Sequence, residues 1–520
     1  MPQGEARLPL FILAPVSFIF VPQAWIRPVK RRRTAADGSQ SDRTGHARAN
    51  LPSKCGRRRP FPLEISKRMK SPKPTDTRSV STDPVRLTAS KHHIDPNLVD
   101  AGAISVVEGL RAAGYEALLV GGCVRDLMLG LTPKDFDVAT SATPEQVKQV
   151  FRRARLIGRR FRIAHVRFGR DIVEVSTFRR QVAADEPPAR GGQRNGDVQA
   201  LSAQGMLLRD NAWGTLKEDA FRRDFTVNAL YYDPLEQTVI DYTGGVADLR
   251  NRRLRLIGVP DVRYREDPVR ILRALRFAGK LGFGLEEATA AGIANTVHLI
   301  GEVAPARLFD EICKLFLHGH AENAWHLLVE WDLLGYLFPD VDPAPHTLEL
   351  IEAAMRGTDR RIQDERPVTP GFLIAVLLWD VYLEQLGRLL DELPPEPARE
   401  AASSNALAFQ AETMAIPKRI SQFVREVWML QPRLEARLSR NVERLVQQQR
   451  FRAAYDFLLL RAETGEIDPA LAQWWTDYQA VDAEQRAAMR QALPNPKGAR
   501  KKRPRRPRKR SKTGQTPGHE

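Results

Sequence analysis

Cysteine is scarce in this 520-residue chain, and cysteine pairs with metal-ligand spacing are absent. The three cysteines, Cys55, Cys123 and Cys313, lie far apart, and no CxxC pair occurs. This pattern excludes a disulfide framework and a cysteine-based zinc site. It also fits a reducing compartment, so we expect the protein in the cytoplasm.

Long apolar runs are lacking as well, apart from one near the N-terminus. The stretch from Leu8 to Ile26 carries no charge and is followed by RPVKRRR, but three prolines interrupt it. Prolines at such intervals weaken a membrane helix, and no cleavage site leads into a secreted-type domain. We interpret the stretch as a non-native extension, with the true start at or near Met69. Peripheral membrane association through this stretch is the alternative.

Acidic residues are few in one terminal segment and missing from the other. Residues 1–68 hold 14 Lys/Arg and 4 Asp/Glu, and residues 497–512 hold 11 Lys/Arg and no acid. The net charge of the chain is +17, so the part between these tails is slightly acidic. Basic, proline-interrupted tails bury no core and attract polyanions, which predicts a nucleic-acid partner.

The apolar pattern predicts an α+β chain, with a small mixed-sheet head followed by an all-α half. Alternating segments such as RIAHVRF and DIVEVSTF predict strands, whereas helical spacing dominates beyond Asp261. The predicted divisions are a disordered basic extension (1–92), a head (93–218) with a mobile loop (181–206), a neck (219–283), an all-helical body (284–490) and a disordered Arg/Lys-rich tail (491–520).

Three acidic residues carry the clearest chemical signal. Asp135 and Asp137 are two apart on a predicted strand, so both carboxylates should lie on one face. Glu174 alternates with two valines on a neighbouring strand and would be a third ligand; an exposed strand residue is the alternative. Clustered carboxylates repel each other unless a cation lies between them, and oxygen ligands suit Mg²⁺, or Mn²⁺ in its place. We predict a catalytic metal site that stabilises a transferred phosphoryl group.

A double glycine precedes these carboxylates in the segment from Gly121 to Thr140. Gly121 and Gly122 end a short apolar strand and leave backbone N–H groups accessible at the start of a helix, where Arg125 adds a cation. We predict that these three residues bind a triphosphate. Two aspartates alone would be weak evidence for such a site. A GG turn followed by RD and then DFD is stronger evidence, because each of these pieces has a role in the same reaction.

These motifs and their order resemble those of the nucleotidyltransferases of the DNA polymerase β superfamily. The chain is most similar to the class II group, which contains bacterial poly(A) polymerases and tRNA CCA-adding enzymes. RRDFTVNALYYD at 222–233 resembles the segment that contacts the incoming ribose, and DYTGGVADL at 241–249 resembles a flexible turn of the group. The resemblance implies a nucleotidyltransferase head (93–218), a neck that recognises ribose and base (219–283) and an RNA-binding body (284–490). It also implies that ribose is contacted by Arg223, Asp224 and Asn228.

REDPVRILRALRF, at 265–277, resembles the base-recognition helix of the same group. Asp267 and Arg270 are three apart, so on one helix they would share a face and offer acceptors and donors to one base edge. Arg273 and Arg276 continue that side toward phosphates of the RNA. An ordinary amphipathic helix with ion pairs is the alternative.

Segments outside the shared motifs favour the poly(A) polymerase subgroup over the CCA-adding enzymes. LIGRRFRIAHVRF at 156–168 and GMLLRDNAWGTLKEDAFRRDF at 205–225 resemble that subgroup, as does the Arg-rich tail, and the resemblance covers about 93–512. It implies template-independent addition of adenylate from ATP to the 3′ ends of mRNA and small RNAs, with the basic tail on RNA phosphates. CCA addition to tRNA is the alternative.

Two other classes of function fit less well. A catalytically inactive RNA-binding protein would not need the three carboxylates intact. A metal-dependent phosphohydrolase would need an HD pair with suitable ligand surroundings, and we interpret the His92–His93 pair as part of a polar tail.

Overall fold

The computed structural model describes residues 83–158, 162–169, 171–180, 200–201, 207–209, 212–342, 344–439 and 441–493. At 200–201 and 207–209 it describes the backbone alone. Most of the predicted loop at 181–206, the N-terminal extension up to residue 82 and the basic tail from 494 lie outside these residues. No helix in the described ranges is both long enough and apolar enough to cross a membrane.

Eight strands form one mixed sheet in the head. They are β1 (Val85–Thr88), β2 (Ala117–Val120), β3 (Asp137–Thr140), β4 (Arg155–Ile157), β5 (Ile163–Phe168), β6 (Asp171–Thr177), β9 (Leu230–Asp233) and β10 (Thr238–Asp241). Their order is β1-β10-β9-β2-β3-β6-β5-β4. Among these described strands, β3 and β6 pair in parallel and the other neighbours are antiparallel. The predicted mixed-sheet head is therefore confirmed.

Two short strand pairs lie outside that sheet, and eight described helices precede β12, the last of these strands. The pairs are β7 (Ala200–Leu201) with β8 (Leu207–Arg209), and β11 (Arg253–Leu254) with β12 (Gly284–Leu285). The helices are α1 (Ala89–His92), α2 (Ala101–Ala112), α3 (Gly122–Met128), α4 (Pro144–Val150), α5 (Leu216–Arg222), α6 (Gly245–Arg250), α7 (Pro260–Glu266) and α8 (Val269–Leu281).

The head extends beyond both predicted boundaries. Residues 83–92 were predicted to be disordered, but β1 pairs with β10 and His92 is buried, with its Nε2 2.9 Å from the carbonyl oxygen of Gln237. The predicted division at 218 is also displaced, because β9 and β10 are strands of the same sheet. Strands that are distant in the sequence join a sheet through backbone hydrogen bonds, and side-chain patterns do not indicate these bonds.

Both faces of the sheet are covered, and the two covers differ in size. Alternate residues of β2 and β3 point to opposite sides: Leu119 and Val138 join the main core, whereas Leu118 and Ala139 join a smaller cluster that includes side chains of α5. Asp137 is two residues before Ala139 on β3, so its side chain points to the same face of the sheet as that of Ala139. The Asp137 carboxylate therefore lies toward the face with the smaller cover.

Beyond β12 the described chain is helical, as predicted. The helices are α9 (Glu287–Thr296), α10 (Pro305–Phe316), α11 (Ala321–Glu330), α12 (Leu334–Leu337), α13 (Pro345–Gln363), α14 (Pro370–Leu377), α15 (Trp379–Leu389), α16 (Pro395–Thr413), α17 (Lys418–Ala436), α18 (Val442–Val446), α19 (Phe451–Glu463), α20 (Pro469–Ala480) and α21 (Ala483–Gln491). Short 3₁₀ turns occupy Pro96–Leu98, Thr226–Asn228 and Val297–Glu302. Most buried side chains of the helical half belong to the same hydrophobic core as the main face of the sheet.

Candidate active site

The double glycine forms the turn between β2 and α3. Gly121 has φ +83° and ψ −129°, a conformation that side-chain-bearing residues rarely adopt. A Cβ there would lie 3.4 Å from Nη1 of Arg223 and 3.6 Å from the carbonyl oxygen of Asn228. The turn is therefore packed against two residues that were predicted to contact ribose, so the triphosphate and ribose predictions fall on one site.

The carboxylates lie at the start of β3 and on its parallel neighbour. Asp137 is the first residue of β3 and is directly beside Glu174 of β6 in the register. Asp135 precedes the strand, so the prediction that both aspartates lie on it was wrong. The reason is that Phe136 and Asp135 belong to the connection from α3, which does not yet follow the strand geometry. The Asp135 charge nevertheless contributes to raising the pKa of Asp137.

Burial, together with the nearby charges of Glu174 and Asp135, raises the pKa of Asp137 to about 6, although the Arg223 charge acts in the opposite direction. The carboxyl group therefore lies in a site with more negative than positive charge nearby, and a bound cation would relieve that repulsion. Glu174 is half exposed, and its Oε1 lies 3.3 Å from Nε2 of His165. Within the described ranges, no three His, Cys, Asp or Glu side chains converge closely enough to hold a metal ion. The oxygen donors suit Mg²⁺ in type, and Glu174 would have to turn from His165 to join it.

Arg223 lies between the glycine turn and the carboxylates, and a buried cluster fixes it there. Its Nε donates to Oδ2 of Asp219 at 3.1 Å and to the Tyr231 hydroxyl at 3.2 Å, while that hydroxyl donates to Asp219 at 2.7 Å. Burial alone would raise the pKa of Asp219, but Arg223 and Arg222 lower it below its ordinary range. Asp219 is 4% exposed. No sequence motif indicated a role for this aspartate.

Two further contacts connect the predicted triphosphate, ribose and phosphate residues. Nη1 of Arg125 donates to Oδ1 of Asn228 at 2.5 Å. Nε of Arg273 donates to Oδ2 of Asp224 at 2.8 Å, and this arginine lowers the pKa of Asp224 to about 2 against the effect of burial. The structure thus brings residues from three separate motifs together, with α8 facing the turn between β2 and α3.

Three guanidinium groups surround the ring of Phe277 on α8. Arg125, Arg273 and Arg276 lie 5.6, 5.3 and 4.4 Å from its centroid. Burial and the Arg273 charge lower the pKa of Arg276, whose buried Nε has no hydrogen-bond partner in the described residues. The concentration of positive charge makes this face of α8 suited to phosphate groups.

The predicted base-recognition pair is arranged differently from the expectation. Asp267 has an extended backbone between α7 and α8, so it does not share a helix face with Arg270. Pro268 explains this, because the residue before a proline avoids helical geometry. Asp267 accepts two hydrogen bonds of 2.7 Å from Arg307 on α10. Arg270 donates to the Arg263 carbonyl oxygen at 2.6 Å and to Glu266 at 3.0 Å.

Arg263 is another residue that the sequence analysis missed. It is 5% exposed, and its Nη2 donates to the carbonyl oxygens of Arg222 and Arg223, each at 2.7 Å. It therefore fixes the backbone of the segment that carries Arg223 and Asp224. The three-residue spacing of Arg263 and Glu266 suggests an ion pair within a helix. The carbonyl oxygens that Arg263 also contacts belong to residues about forty positions earlier, and no sequence pattern indicates such contacts.

A mixed-sheet head with a double-glycine turn, adjacent carboxylates and a facing arginine-rich helix defines a nucleotidyltransferase. Comparison with protein families agrees: the Poly A polymerase head domain matches residues 117–255. A probable RNA and SrmB-binding site of polymerase A matches 282–344, and the polymerase A arginine-rich C-terminus matches 391–510.

Individual relatives are similar over most of the chain. Poly(A) polymerase I of Escherichia coli O6:H1 is 42% identical over 432 residues, which cover 81% of this chain and 91% of the relative. The CC-adding tRNA nucleotidyltransferase of Halalkalibacterium halodurans is 34% identical over 47% of this chain and 56% of the relative. The solved structure of the Bacillus stearothermophilus CCA-adding enzyme with CTP is 25% identical, with a TM-score of 0.50, and the match covers 72% of this chain and 80% of that one. The chain belongs to the bacterial poly(A) polymerase I family of nucleotidyltransferases.

Proposed function

We propose that the protein adds adenylate from ATP to RNA 3′ ends without a template, using Mg²⁺. The observation that carries the proposal is the arrangement across one site. Asp137 and Glu174 lie side by side, Arg223 connects them to the Gly121 turn, and arginines of α8 face that turn. A nucleotide bound there would have its phosphates between the acidic edge and the cationic helix.

Asp135, Asp137 and Glu174 would hold the metal in this proposal. A bound Mg²⁺ would supply charge neutralisation at the transferred phosphoryl group and activation of the RNA hydroxyl. Arg276, which has no counter-ion within hydrogen-bond reach among the described residues, would bind phosphate oxygens. Asn228 uses Oδ1 for Arg125 and retains its side-chain N–H groups for a ribose hydroxyl.

Adenylate addition is favoured over CCA addition by the similarity outside the shared head. The poly(A) polymerase I relative is similar through the helical half, whereas the CC-adding relative matches under half of the chain. The arginine-rich C-terminal match supports the same choice. In the proposal, the basic residues 497–512 bind RNA phosphates nonspecifically and so increase affinity for the 3′-terminal segment of mRNA and small RNAs.

The direct test is extension of a short labelled RNA by the full chain with Mg²⁺ and each nucleoside triphosphate in turn, followed by gel sizing. We expect long extension with ATP and little with CTP, GTP or UTP. Restoration of CCA on a tRNA that lacks its terminus, using CTP and then ATP with growth stopping there, would instead establish the tRNA activity. A chain with the substitution Asp137→Asn provides the inactive control.

A further inference from the structure

A cleft with charged, amide and apolar side chains lies in the helical half, lined by residues that the nucleotidyl-transfer site does not include. It has a volume of about 620 Å³ and lies among α16, α17 and the turn before α19. On α17 its lining includes Gln422, Arg425, Met429 and Arg433. Their spacings of three and four residues place these side chains along one face of the helix.

The cations of this cleft differ in whether they already have partners. Arg450 donates to Glu426 at 2.7 Å, and its guanidinium lies 5.0 Å above the ring of Phe423. Arg425 and Arg433 are exposed and form no ion pair or hydrogen bond with any residue the structure describes. Outside the Glu426–Arg450 pair, Glu400 is the one carboxylate in the lining. The cleft thus offers two cations that are available to a ligand.

The distance between these cations argues for an extended polyanion. Arg425 and Arg433 are eight residues apart on one helix, which is about 12 Å along its axis. A single phosphate cannot span that separation, but different phosphates of one strand can. Between and around the arginines, the lining supplies the amides of Gln448 and Gln449 and the exposed hydroxyl of Ser404, which donates to the Glu400 carbonyl oxygen and can still accept a hydrogen bond. Such groups both donate and accept hydrogen bonds, as base edges and ribose hydroxyls require.

We propose that this cleft binds a single-stranded RNA segment upstream of the 3′ end, with non-adjacent phosphates of one strand on Arg425 and Arg433 and bases or riboses against the glutamines and Ser404. The inference rests on the proposed function, since RNA is the substrate there. Its consequence is that RNA remains attached to the helical half while the 3′ end is extended in the head.

The test measures RNA binding directly, without nucleotide or metal, by fluorescence anisotropy of a labelled 20-residue oligoadenylate. The full chain is compared with Arg425→Ala/Arg433→Ala across a salt series. Loss of two phosphate contacts should decrease the slope of log K against log salt by about 1.4 and weaken binding about tenfold. The KM for ATP, measured at saturating RNA, should stay unchanged.

Two control variants separate this effect from general charge or folding. Arg360→Ala/Arg444→Ala removes the same charge from α13 and α18 at exposed positions that do not line the cleft, and should leave the slope within about 0.3 of wild type. Arg425→Lys/Arg433→Lys retains both charges and should retain the slope, which shows that the helix can be altered without unfolding.

Equal slopes and affinities for wild type and the alanine variant would overturn the proposal. So would an equal loss of affinity for a labelled ten-residue glutamate peptide, because the cleft would then bind acidic peptide rather than RNA. A different result would contradict the proposed function alone. If the wild-type chain binds RNA through these arginines but does not extend it with ATP, the cleft proposal stands and the polymerase proposal is wrong.

Discussion

The acidic and basic sides of the candidate site differ in how their charges are compensated. On the acidic side, burial and the charges of Glu174 and Asp135 raise the pKa of Asp137 to about 6, and Arg223 only partly offsets them. On the basic side, Arg125 contacts Asp126 and Asn228, and Arg273 contacts Asp224. The basic side is thus fixed by its own ion pairs, whereas the acidic side has an excess of negative charge. The difference indicates a preorganised phosphate site beside a carboxylate site that needs an added cation.

The largest effect should come from neutralising the acidic side. Asp137→Asn should decrease nucleotidyl transfer by about 10³-fold or more, because the carboxylate would no longer bind the metal. The folded-state pKa of Asp137 lies above its ordinary value, so the fold favours the protonated carboxyl group. That stabilisation is present at low pH and is lost as the pH rises through about 6. The free energy of unfolding of Asp137→Asn at pH 7 should therefore not fall below that of the wild type. Denaturant titration and primer-extension rates measure the two quantities.

Asp171→Asn is the matched control, since Asp171 is exposed at the start of the same strand, β6. It should retain normal activity. Retention of near-normal activity in a well-folded Asp137→Asn protein would mean that the acidic side does not take part in the reaction.

The second largest effect should come from two arginines of α8, of which Arg273 contacts Asp224 whereas Arg276 has an unpartnered Nε in the described ranges. Arg276→Gln removes a guanidinium whose Nε has no hydrogen-bond partner in the described ranges, and should raise the KM for ATP or RNA about tenfold with little change in melting temperature. Arg273→Gln breaks the contact with Asp224 and should lower the melting temperature as well. Equal losses of stability in both variants would contradict the distinction between them.

A smaller effect is expected where the two sides meet, at Arg223. Asp219→Asn weakens the charged hydrogen bonds that position this guanidinium, and should raise the KM for ATP about three- to tenfold while kcat changes less. Tyr231→Phe removes one neutral donor and should have a weaker effect in the same direction. Steady-state kinetics at saturating RNA gives both constants. A decrease in kcat alone, with KM unchanged, would show that Arg223 does not act in nucleotide binding.

The smallest effect concerns base choice. Arg270→Ala should change the ratio of ATP to CTP use by a few fold, while binding of the triphosphate changes little, because the predicted contact is to the base edge. Arg307→Ala should have a similar effect by releasing Asp267. Competition between the two nucleotides in one reaction gives the ratio. An unchanged ratio in both variants would remove this segment from base recognition.

The sequence predicted the local elements of the site well because each has a short-range cause. The glycine turn follows from Gly121, which alone allows the observed backbone, and the exposed position of Glu174 follows from alternation with buried valines. The mixed sheet and the helical half were predicted from the same periodicities. The roles of the carboxylates and of the predicted metal remain predictions.

The sequence could not predict partners that are brought together by tertiary structure. Asp219 looks like an ordinary residue of a capped helix, and its contacts with Tyr231 and Arg223 depend on how α5 packs on the sheet. The pairing of Asp267 with Arg307 connects residues forty positions apart. The boundaries at 92 and 218 were misplaced for the same reason, since strands join a sheet through backbone contacts with distant segments.

The most direct test of the central claim is calorimetric titration of the full chain with Mg²⁺, without nucleotide, at several pH values. We predict binding in the wild type that weakens about tenfold per pH unit below 6, because protons then compete for Asp137. Asp137→Asn should bind more weakly, with no such pH dependence. Identical Mg²⁺ binding by wild type and variant at every pH would show that the acidic side is not a metal site.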